Sequence, residues 1–389
     1  MAGSAHAYVR GNTLEFYEWL RGKAAPKSIP EGPPIWICGD CHIGNLGPVA
    51  DLKGNVEIQI RDLDQTVIGN PAHDLLRLGL SLAMAARSSD LPGITTALMI
   101  EVMLGGYLQG LSGRKPKVET ARIAPVQNVM RSALKRKWRH LAEERIEDVT
   151  PQIPLGAKFW PLTKKERAGL ATLFENKEER RLIEVLSQGR ADAPLKVLDA
   201  AYWVKGCSSL GRVRYAVLIG IGKKQARTYG LIDLKEATEA AAPRAKGADM
   251  PKDNAERVVT GARYLSPFLG ERMVPALLGG RAVVVRELRP QDLKFEFAGL
   301  TQEEAILTAR LLAGVVGKAH GRQMKWGTRA AWSRALQARH SRNLDAPSWL
   351  WNGVVDLVAS HEASYLRHCR QFALDEARTA RRKAKAKPK

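Results

Sequence analysis

Residues 33–74 interrupt an otherwise helical rhythm, and what stands there restricts the fold this chain can reach. Pro33 and Pro34 precede a short apolar run, IWIC. A polar loop follows, GDCHIGNLG, and then two β-like runs on either side of a DLKGN turn. Proline fixes φ and removes a backbone donor, and an Asp/Gly/Asn cluster between two apolar runs favours a hairpin, so the order expected is strand, loop, hairpin. On both flanks apolar positions recur at three and four. Residues 11–21 do so before the block; 72–112 do so after it, through Leu75, Leu76, Leu78, Leu80 and Leu82, then Leu98, Ile100, Val102 and Leu104.

The rest of the chain divides by texture. Residues 120–200 alternate charge-rich helical patterns with a proline-containing connector, hold no cluster of catalytic residue types, and read as a helical insertion. At Tyr202 the texture changes to strands, YWVKGCSSLGRVRYAVLIGIG and then TYGLIDLKEA, which suits a small antiparallel sheet. A helix is expected at about 254–265, then the strand AVVVREL, and 201–298 makes one β-rich unit. A long helix, TQEEAILTARLLAGVVGKAHGR, opens the stretch 299–377, whose residues 347–377 are helical again. The last residues, 378–389, read as a basic disordered tail. The fold class expected is α+β.

Chemistry concentrates in Gly39-Asp40-Cys41-His42-Ile43-Gly44-Asn45, in Arg61-Asp62-Leu63-Asp64 after the hairpin, and in Gly69-Asn70-Pro71-Ala72-His73-Asp74-Leu75. Phosphoryl transfer asks a protein for one carboxylate to orient the acceptor hydroxyl and for oxygen ligands that hold magnesium on the phosphates. Asp, Asn and Asp suit those tasks, because magnesium prefers hard oxygen donors and keeps several waters. Asp64 shares a face with Asp62 if that stretch is extended, as a second metal ligand or as a partner for a nearby arginine.

These residues resemble the catalytic and metal-binding loops of aminoglycoside-phosphotransferase-like and choline-kinase-like enzymes: an Asp, an Asn five residues on, a hairpin and an Asp. The resemblance implies a two-lobed protein-kinase-like fold with ATP and Mg2+ as cofactors. Asp40 would be the catalytic base, with Asn45 and Asp62 as magnesium ligands, Asp64 a further candidate, and Asp74 tying down the loop. Cys38 departs from it, since that superfamily often has His there. Gly206-Cys207-Ser208-Ser209-Leu210-Gly211 looks like a glycine-rich phosphate loop with Ser208 in place of the middle glycine, which costs the backbone some access to phosphate. Lys235 then falls on the next strand, where kinases keep a phosphate-gripping lysine. The cofactor-binding set implied is Gly206, Ser208, Ser209, Gly211 and Lys235. Glycine loop and lysine follow the catalytic loop here, whereas they precede it in ordinary kinases, so a circular permutation is expected. Residues 1–119 would then carry the catalytic-loop part of the helical lobe and 299–377 its remainder. A longer match, through GDCHIGNLG, RDLDQT, HDLLRLGLSLAMAAR, GCSSLG, LKEA, RVVTGARYL, VVVREL and GKAHGR, resembles the domain of unknown function 2252 family. Its substrate is unassigned.

Other readings stand beside these. Cys38-Gly-Asp-Cys41-His42 also spells a haem-attachment pattern, a redox pair or half a zinc site, each needing support from elsewhere in the chain. His42 could touch phosphate or bond only to backbone; Arg10 and Arg286 could meet substrate or sit in ion pairs; Glu256 or Glu239 could orient Lys235. The formal charge of +21 predicts attraction to polyanions through the body and tail and names no activity. A nucleotide triphosphate and an unidentified acceptor are the partners expected, with a pseudokinase or nucleotide-dependent binding protein as the alternative. The N-terminus lacks a basic start and apolar core for export, and the greasy stretches LLRLGLSLAMAA and ILTARLLAGVVGKA are broken by charge, so cytoplasmic residence without membrane insertion is expected.

Overall fold

The computed structural model describes residues 5–9, 11–22, 28–113, 124–135, 152–175, 195–204, 211–222, 228–293, 297–338 and 346–385. The fold is α+β. Two helices, α1 (Ala5–Val9) and α2 (Thr13–Arg21), lead to β1 (Ile35–Ile37); β2 (Leu46–Ala50) and β3 (Val56–Ile60) form the expected hairpin, and β4 (Val67–Gly69) returns to pair antiparallel with β1. The DLKGN turn closes as its residue types require. Asp51 accepts from the backbone of Lys53 and Asn55, and Gly54 takes a φ of 89°.

Two long helices follow, α3 (Ala72–Ser88) and α4 (Gly93–Leu111), then α5 (Ala124–Lys135), a two-residue strand β5 (Phe159–Trp160) and α6 (Lys164–Glu175). Strands β6 (Leu195–Trp203), β7 (Arg214–Ile221) and β8 (Thr228–Glu236) precede α7 (Asn254–Leu265), which Asp253 caps by accepting from the backbone of Ala255 and Glu256. After the short α8 (Pro267–Gly270) come β9 (Met273–Leu278) and β10 (Arg281–Leu288). The chain then closes with α9 (Gln302–Gly321), α10 (Trp326–Gln337) and α11 (Ser348–Lys385). One antiparallel sheet collects six strands in the order β5-β6-β7-β8-β10-β9. Helix α6 packs its Leu170, Leu173 and Phe174 on one face of it, against Val217, Ile219, Ile232 and Val285.

The main core belongs to the helices. Helix α4 is long and apolar enough to cross a membrane by length and composition, with a mean hydropathy of 1.3, yet it runs against α9 with almost no gap. A β-carbon on Gly106 would lie 2.1 Å from the Arg310 carbonyl oxygen, and one on Gly317 would lie 2.1 Å from that of Tyr107. Glycine is what lets the two backbones touch.

Two expectations need correction. The stretch 120–200 is not wholly helical where it is described: β5 and the first residues of β6 join the main sheet, and a register shift between Val197 and Asp199 breaks the alternation by which a strand is recognised. The backbone of 378–385 continues α11 instead of forming a disordered tail, in keeping with the strong helix preference of its Ala, Arg and Lys. Strand β9 and helix α10 went unread, β9 because Pro275 interrupts a short run whose pairing is supplied by β10.

Candidate active site

The hairpin assembles the first part of the site. Leu46 pairs with Ile60, and the amide of Arg61 donates to the Asn45 carbonyl at 2.7 Å, so Asn45 and Asp62 leave the hairpin side by side at its open end. Asn45 Nδ2 donates to the Asp40 carbonyl at 3.0 Å, which ties the two halves of the loop and leaves Asn45 Oδ1 to accept. Desolvation pushes the Asp62 carboxyl up, but Lys235, Arg214, Arg286 and His42 outweigh it and hold the group below the usual carboxylate range. An ionised carboxylate and an amide oxygen at one hairpin mouth are a donor set that fits magnesium.

Asp40 is held from behind. Arg77, buried on α3, donates Nε to Asp40 Oδ1 at 3.0 Å and Nη2 to the Val9 carbonyl, with Phe16 stacked on its guanidinium. His42 Nε2 lies 3.8 Å from the other oxygen, Oδ2. The loop bends at Gly39, where φ is 74° and an added β-carbon would lie 2.1 Å from the Gln65 carbonyl oxygen. Asp74 anchors that bend, accepting from the amides of Cys38 at 2.7 Å and Gly39 at 3.0 Å.

Lys235 comes from the sheet. Its side chain is half-buried, and Nζ pairs with the carboxylate of Asp64, which brings β8 to the loop that follows β3. Alternation along β8 puts Asp233 on the same face, and Arg214 and Arg286 lie opposite Lys235 and Asp233 on the neighbouring strands. Arg214 clasps Asp233 through both oxygens. Of the glycine-rich bend, Gly206, Ser208 and Ser209 lie outside the described residues; Gly211 is exposed, with a φ of 76°.

The family described as an uncharacterized protein conserved in bacteria (DUF2252) matches residues 1–371. The chain belongs to that family. No curated protein and no solved structure matches it.

Several features of this DUF2252 chain escaped sequence reasoning. Arg257 on α7 is buried and donates to the carbonyls of Asp64, Thr66 and Thr238, pinning the loop beyond Asp62; burial lowers its pKa to about 10. Its neighbour Glu256 and also Glu239, the two expected partners of Lys235, are exposed instead. Arg286 settles as an ion pair with Asp292, which also binds Arg272 through both oxygens, while Arg10 lies outside the described residues. Buried charge of this kind leaves no periodic mark in a sequence; Asp74 opening a helix was the one such anchor that could be read.

Cys38 and Cys41 are buried free thiols; the hydrogen bond between them and then burial raise the Cys38 pKa, while for Cys41 that bond lowers the pKa but burial and the nearby Asp74 and Asp40 charges raise it overall, so neither is a ready nucleophile. Among the described residues no group of three or more His, Cys, Asp and Glu is placed to hold a metal ion. Beyond Asp233 the same sheet face carries Leu218, Leu231 and Leu288, buried together with Ile153, Phe159 and Trp203.

Proposed function

We propose that this chain is a phosphotransferase of protein-kinase-like fold, circularly permuted, which uses ATP and magnesium to phosphorylate a hydroxyl-bearing acceptor. The single observation that carries the reading is the ion pair between Lys235 and Asp64, because it joins two stretches that are far apart in the chain and that each supply half of a phosphate site. The order of elements supports it as well. In sequence the Gly/Ser segment 206–211 lies between β6 and β7, Lys235 stands next to the end of β8, and a helix follows, which is the order of glycine loop, lysine strand and helix in kinases.

In this reading Asp40 orients the acceptor hydroxyl. Arg77 occupies its Oδ1 and holds the side chain still, which leaves Oδ2 to accept from the hydroxyl. Asn45 Oδ1 and the Asp62 carboxylate would hold magnesium, which when bound supplies positive charge against the phosphate oxygens. Lys235 grips phosphate, and the glycine-rich segment 206–211 is the candidate to meet it from the other side. The basic body raises the local concentration of any polyanionic partner. The test is turnover of ATP with magnesium by wild type and Asp40→Ala: the variant should lose about 10²–10⁴ in rate while binding nucleotide. Equal ATP consumption by the two would count against the reading.

A second reading is favoured by the burial of one sheet face. Leu218, Leu231 and Leu288 beyond Asp233 are buried in one cluster with Ile153, Phe159 and Trp203, where a nucleotide base would otherwise rest, which suits a pseudokinase or nucleotide-dependent binding protein docking nucleic acid or an acidic partner. A thermal shift with ATP and magnesium but no transfer of the γ-phosphate selects it.

A further inference from the structure

We infer that Asp64 is the positioning residue for Lys235, doing from the metal loop what a helix glutamate does in kinases, and that it is not a ligand of the metal; this rests on the phosphotransferase reading. Three observations converge on it. The Asp64 carboxylate is engaged by Lys235 Nζ. The helix that follows the lysine strand offers nothing in its place: Glu256 points to solvent, and the residue after it, Arg257, is a buried cation. That arginine donates to the Asp64 carbonyl at 3.1 Å and to the Thr66 carbonyl, so the backbone of Asp64 is clamped independently of its side chain. The backbone amide of Asp64 also donates to Asp62 Oδ1 at 3.3 Å, which aims the Asp62 carboxylate while Asp64 faces the sheet.

The consequence is a site in which lysine and metal are held by one loop. Movement of residues 62–64 shifts the lysine and the Asp62 carboxylate together, whereas a helix glutamate would let the lysine be withdrawn by moving the helix alone. Asn45 and Asp62 would then be the protein groups that hold magnesium.

The experiment compares wild type, Asp64→Asn, Asp64→Glu and Asp62→Asn by nucleotide titration followed as thermal shift, once in EDTA and once as a magnesium titration at saturating ATP. Wild-type melting temperature without nucleotide is matched first, so that misfolding of Asp64→Asn is visible, and Asp64→Glu supplies the folded control. Expected are a loss of about tenfold in ATP affinity for Asp64→Asn, present in EDTA, an unchanged magnesium midpoint, and recovery of most of the affinity by Asp64→Glu. Asp62→Asn should show the reverse, a raised magnesium midpoint. A magnesium midpoint raised by Asp64→Asn with EDTA binding intact makes Asp64 a ligand and overturns the inference, as does an Asp64→Glu variant that folds yet binds as weakly as Asp64→Asn. Wild type that ignores ATP up to millimolar concentration removes the functional reading, and the inference with it.

Discussion

His320 Nε2 lies 3.1 Å from Asp74 Oδ2, across 246 residues of chain and with neither side chain open to solvent. The chain of bonds continues from there. The indole of Trp332 donates to the Tyr107 hydroxyl at 3.1 Å, and that hydroxyl lies 2.9 Å from His320 Nδ1. Four elements, α3, α4, α9 and α10, thus converge on the carboxylate that fixes the bend before Asp40.

Asp74→Asn tests that anchor. Both oxygens of Asp74 accept, from Cys38, Gly39 and His320, and an amide has a single acceptor oxygen. One buried N–H is left unmatched, so urea unfolding should show a loss of about 1–3 kcal/mol, and His320→Ala a loss of similar size. A variant as stable as wild type would mean that the bend holds without the anchor.

Asp292 carries a pH signature. Burial pushes its carboxyl up, but Arg272 and then Arg286, with Arg61 beyond, bring it down from 3.8 to about 2. A depressed folded pKa means stability that is complete above about pH 4 and disappears as pH falls toward 2. The difference corresponds to about 2 kcal/mol. Asp292→Asn should cost about 3–5 kcal/mol at pH 7, since it strands buried guanidiniums. The gap in urea midpoint between wild type and variant should narrow between pH 4 and pH 2; a gap independent of pH would show that the carboxylate charge contributes little.

Gly39→Ala meets two obstacles at once. Its φ of 74° costs an L-residue about 1–2 kcal/mol. The β-carbon would also collide with the Gln65 carbonyl, so the loop has to shift. The variant should melt lower and, on the proposed phosphotransferase reading, lose ATP turnover out of proportion to its loss of stability, as assayed well below its melting temperature.

Arg77→Met removes the partner of Asp40. The orphaned carboxylate and the lost bond to Val9 should lower stability by about 3 kcal/mol. Adding Asp40→Asn should return part of that loss, because the uncompensated charge is gone. Strictly additive losses in the double-mutant cycle would show that the two side chains do not interact energetically.

The sequence by itself determined the elements whose signals are local. Hydrophobic spacing placed α2 and the helical stretch that holds α3 and α4, and the residue types of the DLKGN turn placed the β2–β3 hairpin. Because a hairpin aligns its own flanks, the proximity of Asn45 and Asp62 was legible from their position around it. Tertiary structure alone decided the buried charge. That Lys235 takes Asp64 instead of a helix glutamate, that Arg77 backs Asp40, that Arg257 clamps the loop and that His320 meets Asp74 all depend on pairs separated by dozens to hundreds of residues. A single charged residue carries no periodicity that reveals its partner. The cost of burying it is met only when a second element brings the opposite charge into reach, and that is settled by packing.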